Sequence, residues 1–171
     1  MSTNITSNNP MVQSIIAGKA PRPARMAAAR GLLPLPQQDL LEALVALRAS
    51  DDAEIASAAE ATLGAQETEV LMTIATDKDA PPTVLGFLAA RPEAGHKIHE
   101  AVTLNASTPD EAIALLAAHT TEGTLLELIT INQQRLIRAP AIIDAVLGNP
   151  ARTAEAERRV RETGLPVPTS T

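Results

Sequence analysis

The residues best placed for chemistry are two histidines and two glutamates that lie close together in the sequence. Glu93, His96, His99 and Glu100 follow one another at helical spacings, which puts their side chains on adjacent parts of one helix face. Two imidazoles and a carboxylate can bind a transition metal. The H-E-x-x-H motif is absent, however, and Gly95 weakens the helix that would hold the geometry. We therefore expect a solvated helix face without metal or other cofactor, and the alternative is a small metal-dependent enzyme or sensor with Glu93, His96 and His99 as the candidate ligands.

A second polar group interrupts an apolar part of the chain. Asn132, Gln133, Gln134 and Arg135 stand between two apolar stretches, residues 129–131 and 136–137, and Arg138 follows directly after. These side chains adjoin surface that we expect to be buried, so they can cap a helix or bond loop backbone. In the other interpretation, Gln133, Gln134, Arg135 and Arg138 line a concave surface and hydrogen-bond the backbone of a partner protein. Both interpretations stay open at this point.

The N-terminal part of the chain is basic and the remainder is acidic. Residues 1–38 contain Lys19, Arg22, Arg25 and Arg30 but no acidic residue, whereas residues 39–171 hold ten basic and twenty acidic residues. We expect the two parts to attract each other. Four basic residues can contact a phosphate backbone, which makes a nucleic-acid adaptor an alternative function, but the acidic remainder repels DNA. Nucleic acid is therefore the less favoured partner.

Composition excludes several kinds of site. The 171 residues include no cysteine, so disulfides, iron–sulfur clusters, cysteine-bound zinc and thiol nucleophiles are excluded. Phe87 is the only aromatic residue, which leaves almost no platform for stacking bases, sugars or flavins. The sequence has no glycine-rich phosphate loop, no serine nucleophile elbow and no recognisable pair of carboxylates. We therefore expect no enzymatic activity.

The sequence also lacks the signals of a membrane or exported protein. No run approaches the roughly 20 apolar residues that a membrane helix requires, and the first residues form neither a basic nor an apolar signal region. With 45% hydrophobic residues, the chain is able to form a core. These features predict a folded, cytoplasmic protein that does not contact a membrane.

The elements that must position these residues are predicted to be short helices. From Pro36 to Glu162, apolar residues recur at helical spacing between proline, glycine, asparagine, serine and threonine, and no stretch alternates as a strand does. The fold class is therefore all-α. The clearest start signal is Thr108 to Glu111, where threonine, proline and glutamate predict a capping box.

A degenerate internal repeat accompanies these helices. Shifting the sequence by 28 residues aligns residues 79–90 with residues 107–118, and Asn105, Asn132 and Asn149 each stand in a turn, where an amide can cap a helix or bond loop backbone. Repeats of helical hairpins at such periods are typical of α-solenoids, in which neighbouring units stack around one core. We expect a small α-solenoid of antiparallel hairpins, with an irregular helical bundle as the alternative.

Residues 104–117, LNASTPDEAIALLA, carry a resemblance to a known class of proteins. They are similar to the unit of bacterial HEAT-like and leucine-rich-repeat-variant helical repeats, in which an asparagine turn and a Thr-Pro cap precede an apolar helix. The likeness extends loosely over about residues 36–150, and the cluster-binding cysteines found in some of those proteins are absent. The resemblance implies an interaction scaffold without shared catalytic residues.

These observations predict three parts and one function. Residues 1–33 are expected to form a flexible basic arm, residues 34–163 an α-helical repeat domain, and residues 164–171 a disordered tail. The predicted function is that of a non-enzymatic scaffold or adaptor. Its expected partner is another protein or a second copy of this chain.

Overall fold

The computed structural model describes residues 7–164, and in that range the chain is helical without strands, which confirms the all-α prediction. The predicted tail lies outside this range apart from Gly164. A short 3-10 helix, Pro92–Ala94, precedes α7. The α-helices are α1 (Pro10–Ile16), α2 (Arg22–Ala29), α3 (Gln37–Leu47), α4 (Ala53–Gly64), α5 (Thr68–Ala75), α6 (Pro82–Ala89), α7 (His96–Leu104), α8 (Asp110–His119), α9 (Gly123–Ile131), α10 (Gln133–Arg138), α11 (Ala141–Gly148) and α12 (Ala154–Gly164). Between residues 7 and 164, no helix has the length and apolar character needed to cross a bilayer.

Helix α4 shows how local sequence sets the ends and the buried face of these elements. The Asp52 carboxylate accepts hydrogen bonds from the backbone N–H groups of Glu54 (3.1 Å) and Ile55 (3.3 Å), which otherwise have no partner in the first turn. Ile55, Ala59 and Leu63 follow at intervals of four and are at most 3% exposed. The helix therefore presents one apolar stripe to its neighbours.

The predicted capping box at the start of α8 is wrong. The helix begins after Pro109 without a side-chain cap, and the Thr108 hydroxyl instead donates to the carbonyl of Val102 at 2.6 Å. Val102 lies in the last turn of α7, and its carbonyl also accepts a hydrogen bond from the Asn105 backbone N–H at 3.2 Å. Because Thr108 is only 3% exposed, its hydroxyl satisfies this buried carbonyl rather than the N–H groups of its own helix.

The helices pack as two adjoining series. In one, α3 contacts α1 and α6, and α8 contacts α6 and α11; in the other, α7 contacts α5 and α9, and α9 contacts α12. The buried apolar side chains form two clusters that meet in α8, where Ala112 belongs to the first and Ile113 to the second. Helix α8 therefore joins the two halves of the core.

Helices α1 and α2 lie within the segment predicted as a flexible arm. Val12, Ile15, Ala28 and Ala29 are at most 2% exposed and belong to the same apolar cluster as α3 and α4. The flexibility of this segment stays a prediction. Its packing shows that residues 12–29 contribute to the core and do not form a separate body.

Asn105 and Asn149, which are 6% and 3% exposed, make the same set of hydrogen bonds at two places in the fold. In each case the side-chain NH₂ group donates to two carbonyls at the end of a packed helix, and Oδ1 accepts from the backbone N–H two residues further along. The carbonyls are those of Ala75 and Asp77 for Asn105, and of Ala117 and Thr120 for Asn149, all at 2.8–2.9 Å. The N–H donors are Ser107 and Ala151. The predicted role of these amides in bonding loop backbone is confirmed.

Candidate functional site

All three histidines of the chain line one cavity. It has a volume of about 510 Å³ and lies between the end of α6, the 3-10 helix, the start of α7, the end of α8 and the residues before α9. His96 opens α7 directly after Gly95, whose φ of +88° suits glycine, and His119 ends α8. An apolar wall completes this cavity, hereafter the histidine cleft: Ala89, Ala90, Pro92, Leu115 and Leu116.

His96 is held between two carboxylates. Its Nδ1 atom contacts the Glu122 carboxylate, and its Nε2 atom lies 3.2 Å from Glu100, one turn along α7. Glu122 is 26 residues away in the sequence and enters this group because α9 packs beside α7. Helical spacing in the sequence therefore indicates Glu100 as a neighbour of His96, whereas no local spacing indicates Glu122.

His99 has a different environment from His96. Its Nε2 atom lies 3.2 Å from the carbonyl oxygen of Leu88, in the last turn of α6, and 2.9 Å from that of Arg91, which follows the helix. Because a carbonyl only accepts hydrogen bonds, Nε2 carries the hydrogen. This nitrogen is thus committed to the backbone and is not offered to a metal.

The three candidate metal ligands are not brought together. Glu93 lies 3.7 Å from the guanidinium of Arg91, while His96 pairs with glutamates and His99 with carbonyls. Across residues 7–164 no three histidine, aspartate or glutamate side chains are grouped so as to hold a metal ion. What the cleft offers instead is a set of hydrogen-bonding groups beside an apolar wall.

The four candidate partner-binding residues divide between surface and interior. Gln133, Gln134 and Arg138 are exposed, and partner binding by them stays a prediction. Arg135 is 3% exposed and donates from Nη1 to the Thr108 carbonyl at 2.8 Å. Its side chain therefore takes the structural role that the sequence analysis left open, because it points into the protein.

Arg135 and Arg138 share one carboxylate. Arg135 Nη1 lies 2.8 Å from Asp110 Oδ1, and Arg138 binds both oxygens of Asp110 at 2.8 and 2.9 Å. Arg135 Nη2 also donates to the Asn105 carbonyl at 3.2 Å. The Asn132 side chain caps α10 by accepting from the Arg135 backbone N–H at 3.0 Å. This network ties α10 to the start of α8 and the end of α7.

Asp110 makes the stability of the protein depend on pH. The hydrogen bonds from Arg138, and then the charges of Arg138 and Arg135, hold the pKa of Asp110 below its usual value. A carboxyl with a lowered pKa in the folded state stabilises the fold above its unfolded pKa of about 3.9 and loses that contribution as the pH falls through the folded value. In urea unfolding, we expect Asp110→Asn to be less stable than the wild type at neutral pH, and the difference to shrink as the pH falls below about 4.

The control for this prediction is Asp144→Asn, which removes an exposed carboxylate from α11. Its stability should follow that of the wild type at every pH. If the free energy of unfolding changed with pH in the same way for Asp110→Asn and the wild type, the stabilising role assigned to the Asp110 carboxylate would be wrong.

The basic residues of the N-terminal segment have individual roles. Arg22 binds the carboxylates of Asp52 at 2.7 Å and Glu54 at 2.6 Å, which confirms the predicted attraction between this segment and the acidic body. Arg25 donates to a backbone carbonyl in its own segment, and Lys19 and Arg30 are exposed. Arg22 is thus the residue that links this segment to acidic side chains by ion pairs.

The exposure of three side chains differs from what their residue types and the neighbouring sequence predict. Ile131 and Ile137 were expected to lie on buried surface, yet they are 61% and 69% exposed. Glu42 was not singled out, although it is 3% exposed and accepts a hydrogen bond from the Ser7 backbone N–H at 3.0 Å. Ile131 and Ile137 flank Gln133 and Gln134, so the exposed segment around α10 contains apolar as well as polar groups.

Two places in the structure thus offer side chains to a ligand or partner, namely the histidine cleft and the segment from Ile131 to Arg138. The first combines imidazoles, a carboxylate and an apolar wall, and the second combines two exposed isoleucines with amides and an arginine. In comparisons with known proteins, the chain matches no family model, no curated protein and no solved structure.

Proposed function

We propose that this chain is a non-enzymatic helical-repeat scaffold that binds another protein through the surface around α10. This α10 surface consists of Ile131, Gln133, Gln134, Ile137 and Arg138, all exposed. The observation that carries the proposal is the 61% and 69% exposure of its two isoleucines. Apolar side chains grouped within a polar rim are typical of surfaces that bury themselves against a partner.

The polar groups of the α10 surface suit the recognition of a peptide backbone. The two glutamines each carry a donor and an acceptor, and neither is used by the hydrogen bonds found within residues 7–164. Arg138 is already fixed by Asp110, so its side chain is ordered before a partner arrives. The expected partner is a protein segment that presents aliphatic side chains and backbone groups.

The proposal includes a repeat architecture of the HEAT-like kind. Helices α6 and α8, which the sequence repeat aligns, begin 28 residues apart. The side chains of Asn105, Arg135, Asn149 and Arg159 bond residues that precede them by 27–32 positions, with carbonyl oxygens as acceptors in each case. A common separation of this kind supports a stack of similar helical hairpins, an α-solenoid, over an irregular bundle.

The binding proposal is tested by removing the two isoleucines. The wild type, the Ile131→Ser/Ile137→Ser variant and a Leu32→Ser control would be immobilised and exposed to lysate of the native host. Leu32 is 70% exposed but lies between α2 and α3, away from α10 in the sequence. We expect the wild type and the control to retain one protein in a fixed ratio, and the double variant to retain at least about tenfold less, because burying each isoleucine contributes about 1.5–3 kcal/mol.

The melting temperature of the double variant should equal that of the wild type, since both side chains are on the surface. Equal capture by the double variant and the wild type would contradict the role of the α10 surface. Recovery of the chain alone, as a single monodisperse species in light scattering, would contradict the scaffold function itself.

A further inference from the structure

We propose that the histidine cleft binds a small organic ammonium ion, a protonated primary amine on a short aliphatic chain. The cleft lies outside the α10 surface, and its volume of about 510 Å³ is within the range of small-molecule sites. Its lining combines a few polar groups with apolar side chains, as such sites do.

The charge of the cleft favours a cation. Of the two carboxylates that contact His96, Glu122 lines the cleft, whereas Glu100 lines a neighbouring cavity together with Lys97. Glu122 is the one carboxylate in the lining of the cleft, and its side chain is 45% exposed, which leaves it within reach of a ligand. With neutral imidazoles the lining therefore carries one negative charge, which attracts an ammonium group and repels an anion.

The groups that remain for a ligand include two hydrogen-bond acceptors. The Glu122 carboxylate contacts His96 through Oε2, and a carboxylate has further lone pairs on both oxygens. His99 donates from Nε2 to two carbonyls, so the neutral ring keeps Nδ1 as an acceptor. A primary ammonium group supplies three N–H donors and matches this set.

The apolar wall defines the rest of the ligand. Leu115 is 52% exposed although it is a large aliphatic residue, and an aliphatic chain laid against it removes apolar surface from water. The lining contains no phenylalanine, tyrosine or tryptophan ring, and Phe87 instead contacts the guanidinium groups of Arg48 and Arg91. Quaternary ammonium ions are recognised mainly by aromatic faces. Recognition in this cleft therefore depends on N–H donors and selects primary amines.

A transition metal is the competing occupant, because imidazoles and carboxylates also bind zinc. The cleft is not arranged for it: within residues 7–164 the histidines and glutamates form no ligand group, and His99 Nε2 is directed to the backbone. Zinc is therefore one arm of the test.

The test titrates the isotope-labelled full chain with n-butylammonium chloride at constant ionic strength while backbone amide resonances are followed. We expect saturable shifts confined to the residues that line the cleft. The n-butyltrimethylammonium ion has the same charge and chain but no N–H donor, and we expect it to bind at least about tenfold more weakly. Equal binding of the two ions, or the absence of saturable shifts at the cleft, would overturn the proposal.

Two variants separate the polar and apolar parts of the site. Glu122→Gln removes the carboxylate charge and should weaken n-butylammonium binding at least about tenfold, whereas the matched change Glu67→Gln at the start of α5 should leave it unaltered. Leu115→Ser should weaken n-butylammonium binding but not that of methylammonium, which has no chain to lie on the wall. Unaltered binding in both cleft variants, or stoichiometric zinc binding that displaces the amine, would overturn the proposal.

Discussion

Replacing Arg135 by alanine is expected to lower the free energy of unfolding by about 3–5 kcal/mol. The guanidinium binds the carbonyls of Thr108 and Asn105 and the carboxylate of Asp110, and the side chain is 3% exposed. Alanine would leave both carbonyls without this donor, and a buried hydrogen bond from a charged donor is worth about 1.5–3 kcal/mol. Urea unfolding followed by circular dichroism measures the loss.

Arg138 provides the matched control, since it binds the same carboxylate from the surface. Its side chain is 59% exposed, so Arg138→Ala should cost less than about 1 kcal/mol. Arg135→Lys keeps the charge but loses the planar pair of donors that reaches two carbonyls at once, and it should recover only a minor part of the loss. A cost for Arg135→Ala no greater than that of Arg138→Ala would show that water replaces the guanidinium at these carbonyls, contrary to its structural role.

Arg135 also illustrates which features of the structure follow from the sequence. The helix class and the breaks between helices depend on residues within one or two turns of each other, so local spacing predicted them. The same spacing places Asn105 and Asn149 in turns, but the carbonyls to which they donate lie 28–32 positions earlier. The direction of the Arg135 side chain depends on residues 25–30 positions earlier, which reach it because the helices pack side by side. The sequence around Arg135 is therefore compatible with a structural and a partner-binding role, and the packing of the helices decides for the structural one.

The candidate sites also combine features that local spacing predicts with features that depend on the packing of the helices. The spacing of His96 and Glu100 was sufficient to predict their proximity, whereas Glu122 and His119 join the histidine cleft through the packing of α7, α8 and α9. Hydrophobicity predicted burial for Ile131 and Ile137, but burial requires a neighbouring helix to cover each side chain. Neither isoleucine is covered, and that exposure is the reason for proposing a partner at α10.

Replacing Asn149 or Asn105 by alanine is expected to lower the free energy of unfolding by about 2–4 kcal/mol each. Each amide donates to two carbonyls and accepts from one backbone N–H, and alanine removes all three bonds. Because Asn105 and Asn149 are 6% and 3% exposed, water is poorly placed to replace these bonds. Asn132 is exposed and caps α10 with one hydrogen bond, so Asn132→Ala should cost only about 1 kcal/mol.

The comparison among the three asparagines tests whether Asn105 and Asn149 are equivalent positions of a repeat. Equivalent positions should respond alike to every substitution, including Asn→Asp, which keeps the acceptor but sets a carboxylate against two carbonyls and should destabilise more than alanine does. Asn132→Asp should destabilise the protein less than Asn132→Ala does, because a carboxylate at the start of a helix is favourable. If Asn105 and Asn149 differed from each other as much as either differs from Asn132, their matching hydrogen bonds would not reflect a shared structural unit, and the repeat architecture would lose its principal support.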